Sequence, residues 1–130
     1  MKKILVVEDA EPVRAQLVSI LGENSDFEVT EAANATEGLK QLQETHFDVV
    51  VLDYHLPEMT GIDILRKLSE QGKSTNCPVV MLTSEAESPG TEVKSLNVVS
   101  WVIKPVFPER FKDLIEQVIT FFESQLKKTP

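Results

Sequence analysis

The chain has 130 residues, 42% of them hydrophobic and 26% charged, which is the size and make-up of one globular domain and far from disordered, collagen-like or membrane-embedded compositions. A formal charge of −8, from 21 acidic and 13 basic residues, argues against nonspecific attraction to nucleic acid or anionic membrane and suits cation binding. No apolar run nears the ~20 residues that span a bilayer, and the start MKKILVVEDA turns acidic where a signal peptide would stay apolar. A cytoplasmic location is therefore expected. Cys77 is the only cysteine, which leaves no internal disulfide and no thiol set for structural zinc.

In chain order, Ile4 to Val7 is a continuous apolar run rich in β-branched residues, as a strand covered on both faces requires. Pro12 then marks a helix start, and Val13, Leu17, Ile20 and Leu21 recur at helical spacing as one apolar stripe. Phe27 to Ala32 alternates, with Phe27 and Val29 each followed by a polar residue, Glu28 and Thr30, which predicts an edge strand with one wetter face. Ala35, Leu39 and Leu42 form a second stripe, Val49 to Leu52 a second buried strand, and Ile62, Leu65 and Leu68 a third stripe.

Val79 to Leu82 reads as the next central strand. The segment after it contains Pro89 and Gly90, so the fourth helix is expected to start at or after Ser88, to be short, and to end near Asn97, a residue that tolerates a left-handed cap. Trp101 to Ile103 is a short fifth strand, and Pro108 opens a last helix striped by Phe111, Leu114, Ile115, Val118 and Phe122. Residues 1–126 are read as one domain and 127–130 as a tail. Five βα alternations with right-handed crossovers make a doubly wound parallel α/β sheet of five strands and five helices.

Ligands of such a sheet bind beyond the carboxyl ends of the strands. Glu8 and Asp9 follow the first strand, Asp53 the third, Thr83 the fourth and Lys104 the fifth, so all five meet at one rim. Three carboxylates there repel by about 4 kcal/mol per pair at 4 Å and an effective dielectric near 20, and something cationic must hold them. An all-oxygen set with room for water and phosphate oxygen favours Mg²⁺, and Lys104 adds a second positive charge. Singly, each residue also has a plainer role open to it. Glu8 and Asp9 suit the positive end of a helix, Asp53 suits a turn toward Pro57, Thr83 suits a strand end, and Lys104 with Pro105 suits a strand terminus.

The segments ILVVEDA, VVLDYHLPEMTGIDIL, PVVMLTSEA and WVIKPV resemble the response-regulator receiver domain of two-component systems in order, residue type and spacing, over essentially the whole chain. The resemblance implies a flavodoxin-like fold with strand order 2-1-3-4-5, an order that comes with the family and not from the residue pattern. It implies that Asp53 is the phosphoacceptor, that Asp9, Asp53 and the backbone carbonyl of His55 bind Mg²⁺ directly, and that Glu8 helps through water. Lys104 would pair with the phosphoryl group and Thr83 would hydrogen-bond to it, freeing a space that Trp101 enters. Pro105 matches a position that is usually a cis proline. His55 and Glu85, each two residues beyond Asp53 and Thr83, would tune dephosphorylation.

The implied partners are a histidine kinase or phosphotransfer domain and a downstream protein target met by the fourth helix, fifth strand and fifth helix, with neither nucleic acid nor membrane bound directly. The sequence departs from the family at Glu8, where aspartate is commoner, at Thr60 before Gly61, at Val106 after the Lys-Pro pair, and at Asn97, where glycine is usual. Two signalling readings stand side by side: a stand-alone receiver acting by protein contact, and the receiver part of a longer regulator. From another class, the pocket would suit a metal-dependent phosphohydrolase, against which stand the lack of a cap segment and of a second nucleophilic aspartate near Asp53. A structural pseudo-receiver is disfavoured by the full acidic set with its lysine.

Overall fold

A computed structural model describes residues 1–84 and 96–127 of the chain, with side chains to residue 125. The elements run β1 (Lys2–Val7), α1 (Glu11–Gly22), β2 (Phe27–Ala32), α2 (Ala35–Glu44), β3 (Val49–Asp53), α3 (Gly61–Glu70), β4 (Val79–Thr83), β5 (Val98–Ile103) and α4 (Pro108–Lys127). The strands form one parallel sheet in the order β2-β1-β3-β4-β5, which is the expected order. Four helices are found among the described residues, and the last predicted helix is α4. Glu85, Pro89, Gly90 and nearly all of the fourth predicted helix lie outside the described residues.

The alternation of side chains along each strand sorts the core into two layers. Leu5, Val7, Val50, Leu52, Val79 and Met81 pack with Leu42 of α2 and with Ile64, Leu65 and Leu68 of α3 on one face. Ile4, Val6, Val49, Val51, Val80 and Leu82 pack with Leu17, Ile20 and Leu21 of α1 and Phe111, Ile115 and Ile119 of α4 on the other. Hence β3 and β4 are buried along their whole length, while β2 keeps Glu28 and Glu31 in solvent.

Two details depart from the sequence pattern. The fifth strand starts at Val98, well before Trp101, because the β4–β5 register shifts between Val79 and Val80, so that Val79 faces Val98 and Val80 faces Ser100. The shift leaves Val99 48% exposed and breaks the apolar run that marks a strand in sequence. On α4 the third fully packed side chain is Ile119, with Phe122 only half-buried and Phe121 exposed. Asn97 adopts a left-handed backbone at φ 64°.

The start of α3 fixes the site geometry. Thr60 caps the helix by accepting from the Asp63 N–H at 3.1 Å while the Asp63 carboxylate accepts from the Thr60 N–H at 3.1 Å, a reciprocal pair that satisfies two helix-end donors. The Thr60 N–H holds the Asp63 carboxyl below its ordinary value. Gly61 then passes so close to β3 and β4 that an added Cβ would lie 2.8 Å from the Asp53 carbonyl oxygen and 2.7 Å from Met81 Sδ. Gly61→Ala is expected to lower unfolding stability by about 1–3 kcal/mol through overpacking, read as a lower denaturant midpoint at unchanged slope. An unaltered midpoint would mean that the strand end yields freely.

Candidate acidic metal pocket

Because β1 and β3 are hydrogen-bonded neighbours, the residues leaving their carboxyl ends meet. Glu8 is fully buried, Asp53 is 2% exposed, and Asp9 is exposed at the mouth. Carboxylate oxygens of the three lie within 4.8 Å of one another. Glu8 is held by three contacts: its N–H donates to the Ala32 carbonyl at 3.1 Å, its Oε2 accepts from the Ala10 N–H at 3.1 Å, and its carbonyl accepts from Arg14 Nη1 at 2.8 Å. Asp53 Oδ1 accepts from the His55 N–H at 3.2 Å.

Lys104 reaches in from the end of β5. Its Nζ lies 3.2 Å from Asp53 Oδ2 and 2.7 Å from Glu8 Oε1. The Asp53 contact is a hydrogen bond, whereas the Glu8 contact is an ion pair on an oxygen with no aligned hydrogen bond among the described residues. Burial pulls the Lys104 pKa down, but Glu8 and Asp53 more than offset it, and the net shift is upward from 10.5. The ammonium therefore stays charged throughout the neutral range. One cation faces three anions, which leaves a formal −2 at the rim. The donor set is all oxygen with one exposed member, and it fits a hard divalent cation that keeps water in its shell.

Thr83 ends β4 fully buried, and its carbonyl accepts from the Lys104 N–H at 2.8 Å, so the threonine and the lysine are fixed to each other through the backbone. The Lys104–Pro105 peptide bond is cis. Trp101 stands two residues before Ile103, the register partner of Thr83, and packs against the β-branched core with its ring 5.7 Å from that of Tyr54. Its buried Nε1 has no hydrogen-bond partner among the described residues. His55 is exposed in the β3–α3 loop, edge-on to Tyr54 at 4.8 Å, and Glu85 lies outside the described residues.

Two residues near the pocket escaped the sequence reading. Arg14 bridges the Glu8 carbonyl and the Glu31 carboxylate of β2, the latter at 3.2 Å. Glu58, in the loop carrying His55, accepts from the Ala35 N–H at 3.1 Å and from the Thr36 hydroxyl at 3.2 Å at the start of α2. The Glu31 and Glu58 contacts have no local signature, since their partners stand 17 to 23 positions apart in the chain, and a side chain meeting a backbone carbonyl six positions away, as Arg14 meets Glu8, leaves none either.

A family model described as the response regulator receiver domain matches residues 4–116. The chemotaxis protein CheY of Pseudomonas aeruginosa is 32% identical over 117 residues, spanning 89% of this chain and 94% of that protein. The phosphate regulon transcriptional regulatory protein PhoB of Escherichia coli is 32% identical over 120 residues, which cover 91% of this chain but only 52% of PhoB. Among solved structures, chemotaxis response regulator CheY4 of Vibrio cholerae aligns with a TM-score of 0.76 at 33% identity, covering 91% of this chain and 98% of that one. Sheet order, rim chemistry and sequence converge, and the chain belongs to the response regulator receiver domain family, the receiver unit of two-component response regulators.

Proposed function

We propose that Asp53 is the phosphoacceptor of a Mg²⁺-dependent phosphoryl transfer from a histidine kinase or phosphotransfer domain, and that residues 1–126 are the switching unit, with 127–130 a tail. The observation that carries this reading is the sharing of one lysine between two buried carboxylates, Glu8 and Asp53, beside a third acid. Receiver domains bind Mg²⁺ at an acidic pocket, and here Asp9, Asp53 and the His55 carbonyl would be its direct ligands, with Glu8 acting through water. When bound, the ion neutralises phosphoryl oxygens and holds them in line for transfer.

The protein's own groups supply the rest. One Asp53 oxygen rests on Lys104 and the other on the His55 N–H, which fixes the carboxylate plane for attack. An Asp53 oxygen forms the new bond to phosphorus as the bond from phosphorus to the donor imidazole breaks, and the product is an acyl phosphate. Lys104 moves its ion pair to the phosphoryl oxygens, and the Thr83 hydroxyl donates to one of them. Replacing a carboxylate of charge −1 by a phosphoryl of about −2 adds acceptors beside Thr83. Inward movement of Thr83 opens space on the same face of the sheet for Trp101, and the face offered by the fourth predicted helix, β5 and α4 switches to control its protein target. His55 and Glu85 adjust the rate at which water removes the phosphoryl group.

Both signalling forms fit this chemistry: a chain working alone, and the receiver part of a longer regulator as in PhoB, of which the chain spans about half. Incubation with labelled acetyl phosphate and Mg²⁺ is expected to label the native chain and to leave Asp53→Asn unlabelled, and chelation of the metal is expected to abolish the signal. Undiminished labelling of Asp53→Asn would remove the residue as acceptor. Steady turnover of small phosphate esters would instead favour a phosphohydrolase. Trp101 is the only tryptophan, so addition of beryllofluoride with Mg²⁺ is expected to shift its emission. A flat spectrum despite bound beryllofluoride would overturn the Trp101 switch and leave the acceptor assignment standing.

A further inference from the structure

The two loops that carry the acids and the His55 carbonyl are tied to one support outside the pocket. On one side, the Glu8 carbonyl is held by Arg14, whose guanidinium also rests on Glu31 near the end of β2, and the Glu8 N–H donates to Ala32, the last residue of β2. On the other side, the β3–α3 loop sends Glu58 to the first turn of α2, where both carboxylate oxygens are used by Ala35 and Thr36. That turn is itself fastened, because Asn34 accepts from the Glu37 N–H at 2.8 Å and the Glu37 carboxylate accepts from the Ala33 N–H at 2.6 Å. Residues 31 to 37 thus receive tethers from both ligand-bearing loops.

We propose that Arg14 and Glu58 are positioning residues, bracing the two loops against the β2–α2 corner and thereby setting the affinity of the pocket for a divalent cation. This rests on the metal reading above. A carboxylate oxygen or loop carbonyl is a good Mg²⁺ ligand only near octahedral geometry at about 2.0–2.1 Å, a tolerance that an untethered loop end does not meet unaided. Groups behind metal ligands commonly cost 10–100-fold in affinity when removed. The His55 carbonyl gains its fixed position from the Gly61 N–H bond to the Tyr54 carbonyl at 2.9 Å at the loop base and from Glu58 farther out.

Bracing and simple charge effects make opposite predictions for one of the two residues. Removing a positive charge beside a cation site strengthens cation binding, so by electrostatics alone Arg14→Ala tightens Mg²⁺ and Glu58→Gln weakens it. Bracing predicts that both Arg14→Ala and Glu58→Ala weaken it. Glu58→Gln, which keeps one oxygen for the Ala35 N–H, falls between the native chain and Glu58→Ala. Glu23→Gln is the charge control: Glu23 caps the C-terminal end of α1, away from the Glu8–Asp9 loop that precedes the helix, and pairs with Lys112 at 3.3 Å.

The test is a MgCl₂ titration of the 130-residue chain and its variants, followed by backbone amide NMR shifts, which also show that each variant is folded. The expected result is an Mg²⁺ dissociation constant raised about tenfold in Arg14→Ala and in Glu58→Ala, the lower end of the range for groups behind metal ligands, with Glu23→Gln within twofold of native. Tighter binding by Arg14→Ala, or native affinity in Glu58→Ala, would overturn the brace while leaving the Mg²⁺ pocket in place. Absence of saturable shifts in the native chain would overturn the metal reading and the brace together.

Discussion

Everything at the rim depends on one ammonium shared by two carboxylates that water scarcely reaches. Glu8 and Asp53 would be costly to bury as ions alone, and a buried carboxylate left unpaired either takes up a proton or destabilises the fold. Lys104 resolves this at close range to both, and the same contacts hold its own proton. It does not resolve it fully, because one ammonium against two carboxylates leaves a formal −1 and Asp9 makes the rim two charges short of neutrality. The rim thus keeps a formal demand of +2, with the exposed Asp9 as its outermost acid.

The sheet order is what creates that demand. With β1 between β2 and β3, the chain reverses its direction of strand addition at the β1/β3 pair, and the helices on either side of the reversal leave a crevice between the strand ends. Glu8 and Asp9 leave one strand of that pair and Asp53 ends the other. Lys104 comes from β5, two strands away from β3 across β4, and only a long flexible side chain spans that distance to reach both acids. A shorter residue after β5 would leave Glu8 buried without a cation. The close pass of Gly61 against the Asp53 carbonyl belongs to the same design, since it lets the α3 start sit directly behind the acid.

Much of this was written in the residue pattern because periodicity reports burial. The β-branched runs of β1, β3 and β4 became buried strands, and the stripes of α1, α2 and α3 face the layers described. The rim residues were legible for a related reason: a polar residue immediately after a buried strand has nowhere to go but the sheet's edge, so the topology collects them. Pattern reading failed where structure departs from regular period. The shifted register at Val79 and Val80 hides the first half of β5, with Ser100 placed where an apolar residue would have signalled a strand. It failed again for Arg14 and Glu58, which are ordinary surface charges in sequence and acquire meaning only when loops distant in the chain meet at the β2–α2 corner.

Signal transmission needs a physical route from the pocket to a surface, and the packing offers a short one. Tyr54 follows Asp53 directly, its N–H donates to the Leu82 carbonyl of β4 at 2.7 Å, and its ring meets Trp101 on the exposed edge strand β5. Tyr54 and Trp101 lie against the same apolar layer as α2 and α3, partly buried and therefore less constrained than the core beneath them. The indole N–H of Trp101 has no hydrogen-bond partner among the described residues. A two-state element responds usefully only when that gap is a few kcal/mol, within reach of the charge change that phosphorylation brings. On the proposed reading, the partly buried Tyr54–Trp101 pair is that element.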